Sequence, residues 1–268
     1  MPKLGDAYLA IVPKLDDSAM SKAIGTVQSK LGGVARAGGI AFAAVGAAAA
    51  GAVGYVVKSS LDMYSAYEQN LGGIQKIFGN MGKSLEDYAA LTGQSVDECR
   101  DKWSALEDSQ SAMLANANNA WQTAGLSASA YMEQSTSFGA ALVSSLGGDT
   151  RKAVDYANMA IVDMADNANT FGTNIQDIQN AYQGFAKQNY TMLDNLKLGY
   201  GGTQSEMKRL VKDASKLTDV QRELGVTVDG TSLSFDNVVA AIHVMQKQMQ
   251  VGGTTAREAG PSRAALTP

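Results

Sequence analysis

From Ser59 to Leu217 the chain repeats one pattern, and it leaves little choice of architecture. Apolar residues recur three and four apart, glycines or polar pairs stop each run, and Ser, Thr or Asp starts the next. Leu61, Tyr64, Leu71, Ile74 and Phe78 mark one helix, ended by Gly79-Asn-Met-Gly82. Ser84 with Asp87, and Ser95 with Glu98, have the spacing of capping boxes. From Val96 the positions Cys99, Trp103, Leu106, Gln110, Met113, Ala117 and Ala120 continue a coiled-coil-like stripe, weakened by Gln110 and the alanines and closed by Gly125. Tyr131, Phe138, Leu142 and Leu146 mark the next helix, ended by Gly147-Gly148. Asp149 then caps one carrying Val154, Ala157, Ile161 and Met164. The fold class expected is all-α: multi-helix, partly coiled-coil-like, with an Ala/Gly-rich apolar segment near the N-terminus.

Composition agrees. Only 7% of the 268 residues are aromatic and Pro is rare, which suits helices packed through small faces better than a β-sandwich. A net charge of -4, with Lys and Arg scattered, lacks the concentrated basic face that nucleic-acid binding needs. A single cysteine, Cys99, excludes an intrachain disulfide and a Cys-based zinc site. A single histidine, His243, excludes the HExxH motif. The first residues lack the long apolar run of a secretory signal, so synthesis in a reducing cytoplasm is expected.

The most specific stretch is Gly184-Phe-Ala-Lys-Gln-Asn-Tyr-Thr-Met-Leu-Asp-Asn-Leu-Lys-Leu-Gly-Tyr-Gly-Gly-Thr203 with its helical flanks. Ile175, Ile178, Tyr182 and Phe185 have helical spacing before it, and Met207, Leu210, Val211, Ala214 and Leu217 after it. Gly199-Tyr-Gly-Gly202 reads as the helix stop between them, and Thr203 with Glu206 as the next capping box. The wording closely resembles the core of phage tail tape measure proteins, over a long and nearly gap-free run. Its landmarks here are Gly184, Phe185, Tyr190, Leu193, Leu196, Gly199, Tyr200, Gly201 and Gly202. Ser145-Leu-Gly-Gly-Asp-Thr150 and Met164-Ala-Asp-Asn-Ala-Asn169 look like the same core, so the resemblance covers roughly residues 120 to 255.

That resemblance implies a structural tail component. Helical copies would lie inside the tail tube, limit its polymerisation and assist DNA delivery at infection. The implied partners are the tail tube protein, tail assembly chaperones, baseplate or tail-tip proteins, and further copies of the chain. The implied locations are the tail lumen of the virion, the host cytoplasm during assembly and the host membrane during infection. A ruler suits a helix, whose length grows by about 1.5 Å per residue. The whole chain as one helix would reach only about 400 Å, short for such a tail. After Gly253-Thr-Thr-Ala-Arg-Glu-Ala259, which the family shares, the sequence departs abruptly. A truncated or frame-changed product is therefore expected, with a divergent, disordered tail over 251–268 and a helical core over 58–250.

Residues 1–33 read as a leader, Tyr8-Leu-Ala-Ile-Val-Pro13, and a short helix with Met20, Ile24, Val27 and Leu31 on one face. The leader also resembles tape measure openings. Residues 34–57 follow, of which the last 21 or so carry no charge, close to a bilayer-spanning length. Their larger apolar groups are Ile40, Phe42, Val45, Val53, Tyr55, Val56 and Val57; the rest is mostly Ala, with five Gly. Three fates stay open: a membrane helix, a small-residue helix buried against others, or a segment shielded in the assembled state that enters a membrane later. The first gives an alternative function, a small membrane-active or pore-forming protein.

No catalytic constellation emerges. Cys99 and His243 read as a buried thiol and a helix-surface imidazole, not a nucleophile and its base. Asp163 with Asp166, and Glu86 with Asp87, read as solvated faces and caps. Gly199 to Gly202 lacks the Lys-Ser/Thr of a phosphate loop, and the sequon at Asn189 is idle without secretion. No enzyme activity, cofactor or metal is expected. After Leu217 the periodicity lapses. Gly225 to Gly230 reads as a loop or tiny hairpin, before a last helix with Phe235, Val238, Val239, Ile242, Met245 and Met249 on one side.

Overall fold

The computed structural model describes residues 65–257, and all secondary structure among them is helical. The leader and the apolar segment, with Ile40, Phe42, Val45, Val53, Tyr55, Val56 and Val57, lie outside the described residues. Among those described, no helix is long and apolar enough to cross a membrane. Among the described residues, those from Glu68 onward form one compact unit.

Helix α1 runs through residues 65–77, and it is followed by α2 (Leu85–Thr92), α3 (Val96–Thr123), α4 (Ala128–Ser145), α5 (Thr150–Phe171), α6 (Ile175–Phe185), α7 (Gln204–Ser215), α8 (Thr218–Leu224) and α9 (Phe235–Gln248), with a further helical turn over residues 254–257. Their starts are chemical. Ser84, Ser95, Ser127, Asp149, Asn174 and Thr203 each turn an oxygen onto a free N–H of the first turn. Only Ser95 with Glu98 completes the reciprocal box: the Ser95 N–H donates to the Glu98 carboxylate at 2.9 Å, and Ser95 Oγ accepts the Glu98 N–H. Gly93, Gly172 and Gly225 end α2, α5 and α8 in the left-handed conformation.

Helix α5 is the centre. It packs against α3, α4, α6 and α9, and α9 packs in turn on α7 and α8. Close approach is possible because the facing residues are small: Ala153, Ala157 and Ala160 on α5, Ala240 and Ala241 on α9, all fully buried. Larger groups fill the remaining space, among them Tyr131, Met132, Ile161, Met164 and an edge-to-face pair of Phe138 with Phe235 at 5.9 Å.

The stripe on α3 is used in two parts. Trp103 and Leu106 join Tyr88, Ala89 and Cys99 in a small cluster under α2, while Met113, Ala117 and Ala120 enter the main core. Gln110 seats against Gly79, and Ser109 is the buried group beside it, within 3.0 Å of the Thr150 hydroxyl.

Three expectations change after Phe185, while the loop expected over residues 225–230 is present. Helix α6 ends at Phe185, not at Gly199, so the break before α7 is far longer than a four-residue stop. Residues 218–224, where the pattern lapses, form α8. Its buried Gln221 donates to the carbonyls of Ala214 and Ser215 and accepts the Val228 N–H at 2.9 Å. Residues 225–230 are a loop, tied by Asn237, which bonds both the N–H and the carbonyl of Asp229 at 2.8 Å. Finally, α9 is buried around most of its circumference, with Met245 half-buried and Met249 exposed beyond its end.

Two helical glycines make opposite predictions. A Cβ on Gly139 would lie 2.4 Å from the Phe78 ring, whereas one on Gly72 would meet nothing within 4 Å. Gly139→Ala should therefore destabilise the fold by about 1–3 kcal/mol, and Gly72→Ala should stabilise it by roughly 0.5–1 kcal/mol. Chemical denaturation of the two variants checks both signs.

Candidate functional site

The signature residues come together as a folded corner. The carbonyl of Gly184 accepts the N–H groups of Lys187 and Asn189, both at 2.9 Å, and so turns the chain out of α6. Gln188 takes φ +58° to complete the reversal. The Asn189 side chain then accepts the Thr191 N–H and hydroxyl, at 3.1 and 2.8 Å. A 3₁₀ turn over Leu193–Leu196 buries both leucines completely. Tyr182 packs tilted against Phe185 at 5.7 Å, and Phe185 stacks on Tyr190 at 6.0 Å.

Two of the glycines are there because backbone passes over them. A Cβ on Gly202 would lie 2.2 Å from the Thr191 carbonyl oxygen, and one on Gly184 2.9 Å from that of Asn189. Gly199 instead supplies φ +81°. Gly201 is different: its Cβ would sit 3.7 Å from the Glu206 side chain, an ordinary contact, and its φ is not positive. The expected box at Thr203 is therefore only half made. Thr203 caps Glu206, but the Glu206 carboxylate reaches past it to the Gly201 N–H and to Arg209. Those bonds, Arg209 first, hold the Glu206 carboxyl below its usual range. Arg209 lies 4.4 Å over the Tyr200 ring and donates to the Gly199 carbonyl; the Tyr200 hydroxyl donates to Asp213 at 3.2 Å.

The corner is joined to the core by α5, since Asn167 donates to the Leu196 carbonyl at 2.8 Å. Here the sequence reading is corrected. Asp163 and Asp166 are each 1% exposed, not solvated. His243 is not a surface imidazole: its side chain is 23% exposed, and Nδ1 lies 2.8 and 3.0 Å from the two Asp163 carboxylate oxygens. Asp166 takes its bonds from Gly253, Thr254 and Thr255. A signal was present. Asp163 falls three residues after buried Ala160 and four before buried Asn167, in phase with the inner face.

Burial works against a charge on His243. The Asp163 carboxylate, with Asp166 behind it, outweighs that, and the imidazole sits above its ordinary value. Burial pushes Asp163 up, and its bond to His243 offsets this only in part.

Cys99 is buried under α2, within 3.2 Å of the Thr92 hydroxyl, and is not brought to His243. Glu86 and Asp87 are exposed in the first turn of α2, where Ser84 is the cap and neither carboxylate is. No group of three potential metal ligands occurs among the described residues. The groove beside the corner, about 300 Å³, is lined by Ser144, Ser145, Phe185, Gln188, Ser234 and Phe235 with three further apolar residues, none of them titratable. No family model, curated protein or solved structure matches the chain.

Two outcomes follow. Gly202→Ala forces backbone apart and should cost about 1–3 kcal/mol, whereas Gly201→Ala should stay within about 0.5 kcal/mol; thermal melts separate them. Both Asp163 and His243 have raised values, so what they contribute to stability is present below the unfolded-state values and lost as pH rises through the folded ones. Unfolding free energy should therefore fall as pH rises above about 6.5, the ordinary imidazole value. In His243→Gln this slope should vanish.

Proposed function

We propose that this chain is a structural tail component of the tape measure class. It would limit tail-tube polymerisation during assembly and assist DNA delivery at infection, without chemistry of its own. The observation that carries the proposal is the run from Gly184 to Thr203. Its wording resembles the tape measure core, and its landmark residues are occupied in packing: Gly184 and Gly202 under backbone, Phe185, Tyr190, Leu193 and Leu196 in the core, Tyr200 beneath Arg209. Residues placed this way serve to shape a folded body.

The small-faced helices support the same reading, since Ala-rich surfaces let several helices lie close together in a narrow space. Partners under this proposal are the tail tube protein, the tail assembly chaperones, baseplate or tail-tip proteins, and other copies of the chain. Its place is the tail lumen, with the host cytoplasm during assembly and the host membrane at infection as earlier and later stations.

Disrupting the gene in a phage or prophage that carries it tests the proposal. Electron micrographs should show lysates with no tails, or tails and tubes of uncontrolled length. Normal, uniform tails in the disrupted strain would overturn it.

A further inference from the structure

We propose that residues 250–257 form a strap that opens and closes as a unit, with the Asp166 carboxylate as its latch. The strap begins at a conformational hinge. Gln250 has φ +59°, a left-handed conformation for a residue with a Cβ, and Gly253 follows at φ +77°. Before the hinge, Met249 is exposed; after it, Val251 is the one apolar side chain of the strap that is fully buried, at 1%.

The remaining attachments are polar, and they converge on a single residue. The Asp166 carboxylate accepts the N–H of Gly253, the N–H of Thr255 at 2.9 Å and the Thr254 hydroxyl at 3.3 Å. The Thr254 hydroxyl also reaches the Asp166 carbonyl at 3.2 Å and accepts from Thr170 at 3.3 Å. Thr255 lies over the α3–α4 turn, its methyl 3.7 Å from where a Cβ on Gly125 would be. The strap thus joins α9 to α5 and covers the turn that follows α3.

The balance of forces makes it separable from the body. Asp163, one turn away on α5, has His243 for its charge; Asp166 is in no ion pair among the described residues and is held by strap donors. With the strap shut, a buried carboxylate is satisfied by these charge-assisted bonds. With it open, water takes the same positions and solvates the charge, so opening exchanges bonds of similar kind, and the buried apolar side chain it gives up from the strap is Val251. Segments held by few apolar contacts open far below the free energy of global unfolding.

Hydrogen exchange on the full chain tests the proposal. The amides of Gly253 and Thr255 should exchange at least about 100-fold faster than those of Ala157 and Ile161 in α5. Asp166→Asn should speed the strap amides by a further tenfold or so and leave the α5 amides unchanged. Thr255→Pro removes one latch donor from the strap side without touching α5, and should speed the Gly253 amide. Strap and α5 amides exchanging in step would overturn the proposal, as would a strap rate unaltered in Asp166→Asn. Should that variant fail to fold, an unaltered Gly253 rate in Thr255→Pro overturns it instead.

Discussion

Everything in this body leans on α5, and α5 can be central only because its small and polar residues are both accommodated. Ala153, Ala157 and Ala160 let neighbouring helices approach its axis. Asp163, Asp166 and Asn167 are buried on the same helix, where polar groups are costly unless bonded. Each finds a partner from a different part of the chain: His243 on α9, the Gly253–Thr255 segment, and the Leu196 carbonyl of the corner. One helix therefore sets the position of α9, of the Gly253–Thr255 segment and of the signature corner through bonds at fixed angles. Apolar packing alone would allow them to slide.

Local chemistry was legible in the sequence, and distant pairing was not. The caps at Ser84, Ser95, Asp149 and Thr203 could be read because cap and N–H lie within three residues of each other. The apolar phase of α3 to α7 could be read because burial follows the helical period. Asp163 looked like a surface carboxylate because its partner stands 80 residues away. The end of α6 was misplaced for a related reason. Gly199 to Gly202 is the stronger stop signal, but the helix ends where the Gly184 carbonyl can take the N–H groups of Lys187 and Asn189. Residues 251–257 were grouped with a divergent tail, yet Val251 is buried and the segment is bonded to α5 up to Thr255.

The corner shows why a glycine count says little until the neighbours are known. Of its four glycines, Gly184 and Gly202 yield space to passing carbonyls, Gly199 yields a backbone angle, and Gly201 yields neither. A pattern match would weigh them alike; packing ranks them. The same applies to charge. Glu206 and Asp163 are both carboxylates next to a base, but Glu206 is exposed enough for water to share the work, while Asp163 relies on His243.

The separation of Asp163 from His243 also has a temporal side. A ribosome adding about 5–20 residues per second needs roughly 4–16 seconds to pass from one to the other. During that interval α5 has been made, with two carboxylates on its inner face and no partner for either. The bonding around α5 is complete only when α9 and the Gly253–Thr255 segment arrive. A chain organised in this way is exposed to misassembly during its own synthesis, before the groups that complete its core have been made.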